Sequence, residues 1–180
     1  MPTLSIGIYV PLTRGAYTLI DAEDYNRVVA FKWQYLTDYA ARSEHGPKPR
    51  RIIMLHKWLL GLEYSDSPVD HWNMDKLDNR KGNLRKATRS QNKANGKKYK
   101  RLGTSCKFKG VHKWTRHDGK IYWQAAIQVN GVRTSLGTYK TPEEAAMAYD
   151  RAAIDAWGEF ARPNFVGAML KDVMTEEEGG

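Results

Sequence analysis

The clearest alternation of apolar and polar residues lies in the last third of the chain. In residues 121–129, apolar side chains occupy every second position, which predicts a strand with one buried face. Asn130 and Gly131 follow directly, and this dipeptide is the strongest short signal for a β-hairpin. Residues 109–114 and 132–136 also have strand patterns. We therefore predict a three-stranded antiparallel sheet in this part of the chain.

A helix is predicted immediately after this sheet. Thr141 and Glu144 have the spacing of a capping box, with Pro142 at the first helical position. Gly158 suits the position after the last helical turn. Between them runs an apolar stripe that consists of Ala145, Tyr149, Ala152 and Ala156. The small side chains of this stripe would let the helix pack closely on the apolar face of the sheet.

Shorter elements are predicted in the first half of the chain. Strand patterns occupy residues 4–10, 16–20, 31–41 and 50–55, and helix patterns occupy residues 21–29, 56–62 and 89–96. Asp21 suits the N-cap of the first of these helices. The first half is thus β-rich with short helices, and the chain as a whole is predicted to be of the α+β class.

Composition places the chain among ordinary globular proteins. Its 180 residues are 27% charged and 41% hydrophobic, which argues against wholesale disorder. Cys106 is the single cysteine, so an internal disulfide and a multi-cysteine zinc site are excluded. The uncharged apolar stretches are too short for a membrane span, and the first residues lack the pattern of a secretory signal. A cytoplasmic setting is the simplest expectation.

Positive charge is concentrated in the middle of the chain. The net charge is +9, but residues 76–140 hold 18 basic and 2 acidic residues, a local +16, while the remainder carries −7. A block this basic, interleaved with aromatic residues, indicates a surface that binds a polyanion. A basic linker at residues 99–103 separates two predicted domains. The cations in and before it that are expected to contact phosphates are Lys93, Lys97, Lys98, Lys100 and Arg101.

One polar segment, residues 69–92, contains four short clusters of polar and charged residues. In order, it contains Asp70-His71, Asp78-Asn79-Arg80, Asn83-Leu84-Arg85 and Ser90-Gln91-Asn92. In this order and spacing the segment resembles the HNH nucleases found among homing endonucleases. The resemblance implies a ββα-metal fold for residues 51–98, with the β-rich residues 1–50 as a scaffold.

The residue types in this motif suit phosphodiester hydrolysis, which needs positive charge at the phosphate, a positioned water and a proton acceptor. Carboxylate and amide oxygens are ligands for a hard cation, and the resemblance assigns Asp70 and Asn92 to one Mg²⁺ or Mn²⁺ ion. It makes His71, which titrates near neutral pH, the general base. It also makes Asn83 the asparagine that ties the loop between the two strands.

Two features leave the geometry of this site open. Adjacent residues on a regular strand point to opposite faces, so Asp70 and His71 can share a site only where the strand bends. Trp72 and Met74 stand where related motifs have an aliphatic residue and often a glycine. His56, which opens the preceding predicted helix, either points toward the site or is a helix N-terminal histidine without a role in the chemistry.

Five segments in the last third of the chain form a second pattern, at residues 108–111, 123–127, 136–139, 143–150 and 158–165. In these segments the chain resembles the AP2 (ethylene-response-factor-like) DNA-binding domain. The resemblance implies that residues 104–165 bind double-stranded DNA by laying the three-stranded sheet in the major groove. The side chains expected to contact DNA from this domain are Lys109, His112, Trp114, Arg116, Gln124, Gln128, Arg133 and Ser135.

Four of these positions depart from the plant members of the family. Those members have arginine where this chain has Lys109, His112 and Gln128, and tryptophan where it has Ser135. Side chains on the sheet face read the bases, so a change of side chain changes the sequence that is read. The family's usual preference for GC-rich sites therefore does not carry over to this chain.

Together the two resemblances indicate a site-targeted DNA endonuclease of the phage HNH–AP2 homing type. Residues 1–98 would cut, residues 104–165 would find the site, and residues 166–180 would form a flexible tail. A non-catalytic, sequence-specific DNA-binding regulator on the same scaffold stays open as an alternative. An RNA-binding or RNA-cleaving protein ranks third, because the sheet face lacks closely placed aromatic side chains that stack on single-stranded bases. No membrane and no obligatory protein partner are expected.

Overall fold

The computed structural model describes residues 5–44, 51–63, 65–96 and 106–165. The chain divides into two compact units, residues 1–92 (unit 1) and 93–180 (unit 2). All paired strands form antiparallel ladders with separate short helices, which confirms the predicted α+β class. Within the ranges just given, no helix is long and apolar enough to cross a membrane.

The described part of unit 1 is built from short elements that form three small sheets. The β1–β2 hairpin, the β3–β4–β5 sheet and the β6–β7 pair are separate ladders. In chain order the elements are β1 (Gly7–Pro11), β2 (Tyr17–Asp21), α1 (Tyr25–Val29), β3 (Gln34–Leu36), β4 (Tyr39–Glu44), β5 (Arg51–Met54), α2 (Leu55–Leu59), β6 (Val69–His71) and β7 (Leu84–Lys86).

The apolar core of unit 1 lies between these sheets and the two short helices. Ile20, Val28 and Leu55 are completely buried, and Trp33 packs with them. The Trp33 indole N–H donates a hydrogen bond of 2.9 Å to the carbonyl oxygen of Val28, so its polar atom is satisfied inside the core. Residues 5–44 thus contribute a large share of the core on which the motif segment rests.

The first hairpin also supports the loop between β6 and β7. The Leu19 N–H donates to the carbonyl of Leu77 at 2.8 Å, and the Asn79 N–H donates to the carbonyl of Leu19 at 2.7 Å. The carboxylate of Asp21 accepts from the backbone N–H of Lys81 at 2.7 Å. Asp21 does occupy the predicted N-cap position, before the 3-10 turn Ala22–Asp24, but its carboxylate forms no hydrogen bond with that turn and caps the motif loop instead.

Three acidic residues next to this loop have the spacing of a metal site, but two of them bind the ammonium group of Lys81. The ligand atoms of Asp21, Glu23 and Asp24 lie within 4.8 Å of one another. The Lys81 Nζ lies 2.6 Å from Glu23 Oε1 and 3.1 Å from Asp24 Oδ2. The hydrogen bond with Glu23 raises the pKa of Lys81, so the lysine stays charged and the cluster has a structural role.

Unit 2 contains the predicted three-stranded sheet. Its strands are β8 (Val111–Thr115), β9 (Ile121–Val129) and β10 (Val132–Tyr139), in the order β10–β9–β8. The predicted hairpin is confirmed, with positive φ angles of 50° at Asn130 and 89° at Gly131. β10 runs three residues beyond the predicted end, because an irregularity between Ser135 and Gly137 lets the ladder continue.

The helix after the sheet, α4 (Pro142–Trp157), begins as predicted. The Glu144 N–H donates to Thr141 Oγ1 at 3.2 Å, and the Thr141 N–H donates to Glu144 Oε2 at 3.3 Å, so both halves of the capping box are present. Gly158 follows the last turn with a φ of 53°. A second, shorter helix, α3 (Arg89–Asn95), lies at the boundary of the two units.

The predicted apolar stripe of α4 is only half right. Ala145 and Tyr149 are buried, but Ala152 is half-buried and Ala156 is exposed. The buried row follows every fourth residue and ends at Trp157, because the helix crosses the sheet along that row. A Cβ atom at Gly110 would lie 1.9 Å from the ring of Tyr149, so only glycine allows this close packing.

Candidate functional site

Asp70 lies in the middle of β6 and is paired with an arginine. The side chain is 4% exposed, and Arg85 occupies the directly opposite position on β7. Both Nε and Nη2 of Arg85 lie 2.8 Å from Asp70 Oδ2. The guanidinium thus sits against one oxygen of a buried carboxylate, a ligand type that a hard cation such as Mg²⁺ prefers. Sequence reasoning did not identify Arg85 as the partner of Asp70.

His71, the next residue, contacts a fixed amide group. Its Nε2 lies 3.3 Å from Oδ1 of Asn79, and the Asn79 Nδ2 donates to Thr18 Oγ1 at 2.7 Å. The Thr18 hydroxyl in turn donates to the carbonyl of Leu77 at 2.8 Å. The amide oxygen therefore faces the imidazole as an acceptor and selects the tautomer with the proton on Nε2. Nδ1 then carries the lone pair.

Burial acts on the charge state of the same histidine. His71 is 5% exposed, and this desolvation lowers its pKa, although the hydrogen bond with Asn79 and the charge of Asp70 act in the opposite direction. A lowered pKa keeps the imidazole neutral near pH 7. A neutral imidazole can accept a proton, so the site presents a base.

A second buried histidine lies against His71. The ring centroids of His56 and His71 are 5.2 Å apart in an edge-on arrangement, and the Tyr39 ring is 5.4 Å from His56. Burial, followed by the nearby charges of His71 and Lys57, lowers the pKa of His56 to about 3. Of the two possibilities left open for His56, the structure supports the one that points toward the site.

Asn83 holds the loop that connects β6 to β7. The side chain is buried, its Nδ2 donates to the carbonyl of Asp78 at 2.7 Å, and its Oδ1 accepts from the Asn73 N–H at 3.0 Å. The carbonyl of Asn83 also accepts from the Trp72 N–H at 2.9 Å. One side chain thus joins both ends of the loop, and loss of either partner would leave a buried polar group unpaired.

Met74 occupies a backbone conformation that favours glycine. Its φ is +64°, in the left-handed region, at the position where related motifs often have glycine. A side chain there costs roughly 1–2 kcal/mol, and glycine recovers that at an entropic cost of roughly 0.5–1 kcal/mol. We expect Met74→Gly to raise the free energy of unfolding by up to about 1 kcal/mol, measured by urea denaturation. A clear loss of stability would contradict this explanation.

Asn92 lies on α3, the helix that follows the β6–β7 pair. The strand pairing extends almost to this helix, because the Ala87 N–H donates to the carbonyl of Pro68 at 2.9 Å. The Asn92 side chain is half-buried and, within the described part of the chain, forms no hydrogen bond with Asp70 or His71. A carboxylate on β6 and an amide oxygen on α3 are donor types that fit Mg²⁺.

Most of the predicted DNA-contacting side chains of unit 2 share one exposed face. This outer face lies opposite α4, and its exposed members are His112, Trp114, Gln124, Gln128, Arg133 and Ser135. Arg116 follows β8 directly and is exposed, and Lys93 Nζ lies 3.4 Å from Gln128 Oε1. The linker at 99–103, the tail at 166–180 and the predicted phosphate contacts Lys97, Lys98, Lys100 and Arg101 lie outside the described residues.

Lys109 is directed inward, in contrast to the expected phosphate contact. Its Nζ donates to the carbonyls of Ala94 at 2.7 Å and Arg162 at 3.1 Å. Burial, with a smaller effect from Arg162, lowers the pKa of Lys109 to about 8. The predicted strand at 109–114 also begins later, at Val111, because Gly110 turns the chain with a φ of +70°.

This inward lysine leads to a prediction about stability. Lys109→Ala would remove the ammonium donor from two part-buried carbonyl groups, so we expect unit 2 to lose about 1–3 kcal/mol of unfolding free energy. Lys113→Ala is the matched control, because Lys113 is exposed on β8. Chemical denaturation of both variants checks this. If Lys109→Ala left the stability unchanged and made the salt dependence of DNA binding shallower, the result would instead support the predicted contact between Lys109 and a phosphate.

The sheet face carries an aromatic pair that sequence reasoning missed. Trp114 on β8 and Tyr122 on β9 are direct cross-strand partners, and their ring centroids are 5.8 Å apart. The statement that this face lacks closely placed aromatic side chains is therefore wrong. Whether Trp114 and Tyr122 face each other depends on the register of β8 against β9, and the sequence does not specify that register.

Comparison with known proteins now decides the family of the chain. It is 30% identical over 153 residues to an uncharacterized HNH endonuclease of Acanthamoeba polyphaga mimivirus, an overlap of 84% of this chain and 76% of that protein. The chain belongs to the HNH endonuclease family. No family model matches this HNH protein.

Part of this HNH protein is also similar to plant transcription factors of the AP2/ERF group. It is 38% identical over 85 residues to the dehydration-responsive element-binding protein 2E of Arabidopsis thaliana, and 49% identical over 61 residues to an ethylene-responsive transcription factor of Medicago truncatula. The chain spans only 35% and 24% of those two proteins. The combination of HNH and AP2-like segments predicted from the motifs is confirmed.

Proposed function

We propose that this HNH protein is a site-targeted DNA endonuclease. The observation that carries the proposal is His71, a buried neutral histidine whose tautomer is fixed by Asn79, next to the buried Asp70 in a chain of this family. Residues 51–98 would form the ββα-metal core from β6, β7 and α3. Residues 104–165 would bind the target duplex.

The chemical roles follow from the donor and acceptor atoms of the site. His71 Nδ1 accepts the proton of the water that attacks the phosphorus atom, and the bond to the departing sugar oxygen breaks as that oxygen takes up a proton from solvent. Asp70 and Asn92 would hold one Mg²⁺ or Mn²⁺ ion, which supplies positive charge at the phosphate. Asn83 keeps the loop between the strands in place.

The proposed DNA contacts of unit 2 divide into two kinds. The exposed polar side chains of the outer face can reach base edges in the major groove. Cations beside the sheet, Lys93 and Arg116 among them, would contact phosphates, as would the linker residues. This positive surface predicts affinity for duplex DNA that falls steeply as salt is added.

One observation favours the alternative of a DNA-binding regulator. The Arg85 guanidinium neutralises Asp70, so the carboxylate already has a cation as its partner. In an active nuclease, the Asp70 carboxylate would have to ligate the metal while it remains paired with Arg85. In a regulator, the same pair would only stabilise a second DNA-binding surface.

Nicking of supercoiled DNA tests the proposal. The full chain is incubated with a pooled plasmid library of random inserts, so that the presence of a target is not assumed, in Mg²⁺, in Mn²⁺ and in EDTA. Metal-dependent nicks at a reproducible sequence support the endonuclease. Salt-sensitive binding to a selected sequence without cutting in either metal would support the regulator instead.

Asn79 has no role among those that the resemblance assigns, but its hydrogen bond with His71 predicts that it positions the imidazole. Asn79→Ala removes the acceptor for Nε2–H and should slow nicking roughly 10- to 100-fold. Asn79→Asp keeps an acceptor oxygen for Nε2–H but loses the donor to Thr18 Oγ1, so it should recover part of the rate. Asn26→Ala, at an exposed asparagine of α1, is the matched control. A wild-type nicking rate per folded molecule in Asn79→Ala, with the folded fraction measured by urea denaturation, would show that Asn79 acts only through folding.

A further inference from the structure

The outer face of the unit 2 sheet changes its chemistry from one end to the other. At one end, Trp114 and Tyr122 pair across β8 and β9. In the middle, Gln124 lies between His112 and Thr138, its direct partners on the two neighbouring strands. At the other end, Gln128 lies opposite Arg133 on β10. Aromatic, amide and guanidinium groups thus follow one another along a single face.

The length of this face corresponds to a short DNA site. Tyr122 and Gln128 lie six positions apart on β9, which at about 3.3 Å per residue is about 20 Å, or about six base pairs of B-DNA. A sheet in the major groove would therefore place its aromatic end and its guanidinium end over different base pairs of one site.

The side chains at the aromatic end, in the middle and at the guanidinium end of the face differ in the base-edge groups that they can contact. Trp114 is 41% exposed and offers apolar surface, which in the major groove matches the C5-methyl group of thymine. A glutamine amide matches N6 and N7 of adenine, and a guanidinium matches O6 and N7 of guanine. Within the described residues, neither Gln124 nor Arg133 has a side-chain hydrogen bond, so both groups remain available to bases.

Gln128 differs from Gln124 because it is held by its own unit. Its Nε2 donates to the carbonyl of Gly131 at 3.1 Å, and its Oε1 lies 3.4 Å from Lys93 Nζ. An amide whose nitrogen and oxygen already have partners within the protein must give them up to bind a base, so Gln128 would bind a base more weakly than Gln124. The guanine contact at this end is therefore assigned to Arg133, and the adenine contact to Gln124.

We propose that the outer face selects duplex DNA with thymine–adenine pairs under Trp114, Tyr122 and Gln124, and a guanine within reach of Arg133. This inference rests on the proposed function and adds the class of sequence that unit 2 would find. It contrasts with a face of several arginines, which would read guanine along its whole length.

The duplex is favoured over single-stranded nucleic acid by the arrangement of the rings. Trp114 and Tyr122 are tilted by 45° and contact each other, whereas bases stack on ring faces that stand free. The remaining outward groups are amide and guanidinium donors, which match base edges in a groove. Thymine methyl groups at the groove edge would contact the exposed part of the Trp114 ring.

The first test is selection of binding sites by the full chain. The protein, in EDTA to prevent cleavage, is mixed with a randomised duplex pool, and the bound sequences are amplified and read. The expected site has about six base pairs with A·T pairs at one end and a G·C pair at the other. Selected sites made only of G·C pairs would overturn the inference and leave the proposed function standing. Absence of binding to any duplex would overturn both.

Base analogues then test the individual contacts on the selected site. Uracil in place of thymine removes only the methyl group and should weaken binding about fourfold per contacted base. 7-Deazaadenine removes N7 and should weaken binding roughly tenfold at the Gln124 position. Unchanged affinity for both analogues would contradict the inference, and equal competition by single-stranded DNA would point to base stacking instead.

Two variants connect these effects to the residues named. Trp114→Ala should abolish the difference between thymine and uracil while binding through Arg133 persists. Val132→Ala is the matched control, because Val132 is an exposed apolar residue whose ladder partner, Val129, belongs to the opposite face. The uracil experiment uses unaltered protein, so it decides the question even where Trp114→Ala fails to fold.

Discussion

Replacement of His71 by alanine is expected to slow DNA cleavage about a hundred- to ten-thousand-fold. The imidazole is the only group at the site whose tautomer and charge state are both set by described neighbours, Asn79 by a hydrogen bond and the buried surroundings by desolvation. Without it, the attacking water must lose its proton to solvent. Single-turnover cleavage of a duplex that carries the selected site measures this loss directly.

The comparison needs controls for folding and for binding. His117→Ala removes an exposed histidine from the turn between β8 and β9 and should leave the cleavage rate unchanged. The affinity of His71→Ala for the same duplex in EDTA should match the wild type, because the proposed sequence contacts lie in unit 2. A variant that folds, binds and cuts at the wild-type rate would remove His71 from the role of general base.

Local signals in the sequence were enough to predict several elements of the fold. The β9–β10 hairpin was predicted from one Asn-Gly dipeptide and a strict alternation, and α4 from its capping box, because these structures depend on residues that are neighbours in the chain. The order of the motif residues likewise placed Asp70 and His71 on one strand of a paired ladder.

Contacts between distant residues were beyond that reasoning. Thr18 and Asn79 are 61 positions apart, and nothing in either segment indicates that they meet behind His71. The turn at Thr37 and Asp38 was also missed, since a φ of 47° is unusual for a β-branched residue such as Thr37 and accompanies the pairing of β3 with β4. Such features are set by tertiary packing rather than by local preference.

The N-terminal segment illustrates how packing and chemistry are linked in unit 1. β2 supplies Thr18 to the amide of Asn79 and Leu19 to the backbone of the motif loop. Tyr39 from β4 contacts both buried histidines, with ring centroid distances of 5.4 and 6.2 Å. The β-rich segment is therefore more than a scaffold at a distance, because its side chains form the second layer around His71.

The same packing predicts that unit 1 becomes less stable in mild acid. The pKa of His56 falls from 6.5 to about 3 on folding, chiefly through burial, and burial also lowers the pKa of His71. Both histidines bind a proton more readily in the unfolded chain. Stability is therefore complete above about pH 6.5 and is lost as the pH falls toward 3, because protons then favour the unfolded state.

The pH range of this effect separates it from the titration of carboxylates, because their ordinary pKa values of about 4 lie below it. One proton taken up on unfolding lowers the free energy of unfolding by about 1.4 kcal/mol per pH unit, so His56 alone accounts for about 2 kcal/mol between pH 6.5 and 5. Hydrogen exchange of the buried amides around Ala40 and Leu55, followed from pH 7 to pH 5, measures the loss in unit 1. His56→Gln should remove one proton from the number taken up on unfolding, and so reduce the slope of unfolding free energy against pH. His117→Gln should leave that slope unchanged. If the His56→Gln slope matched the wild type, His56 would have to be accessible to protons in the folded state, and the buried histidine pair would not account for the acid sensitivity of the site.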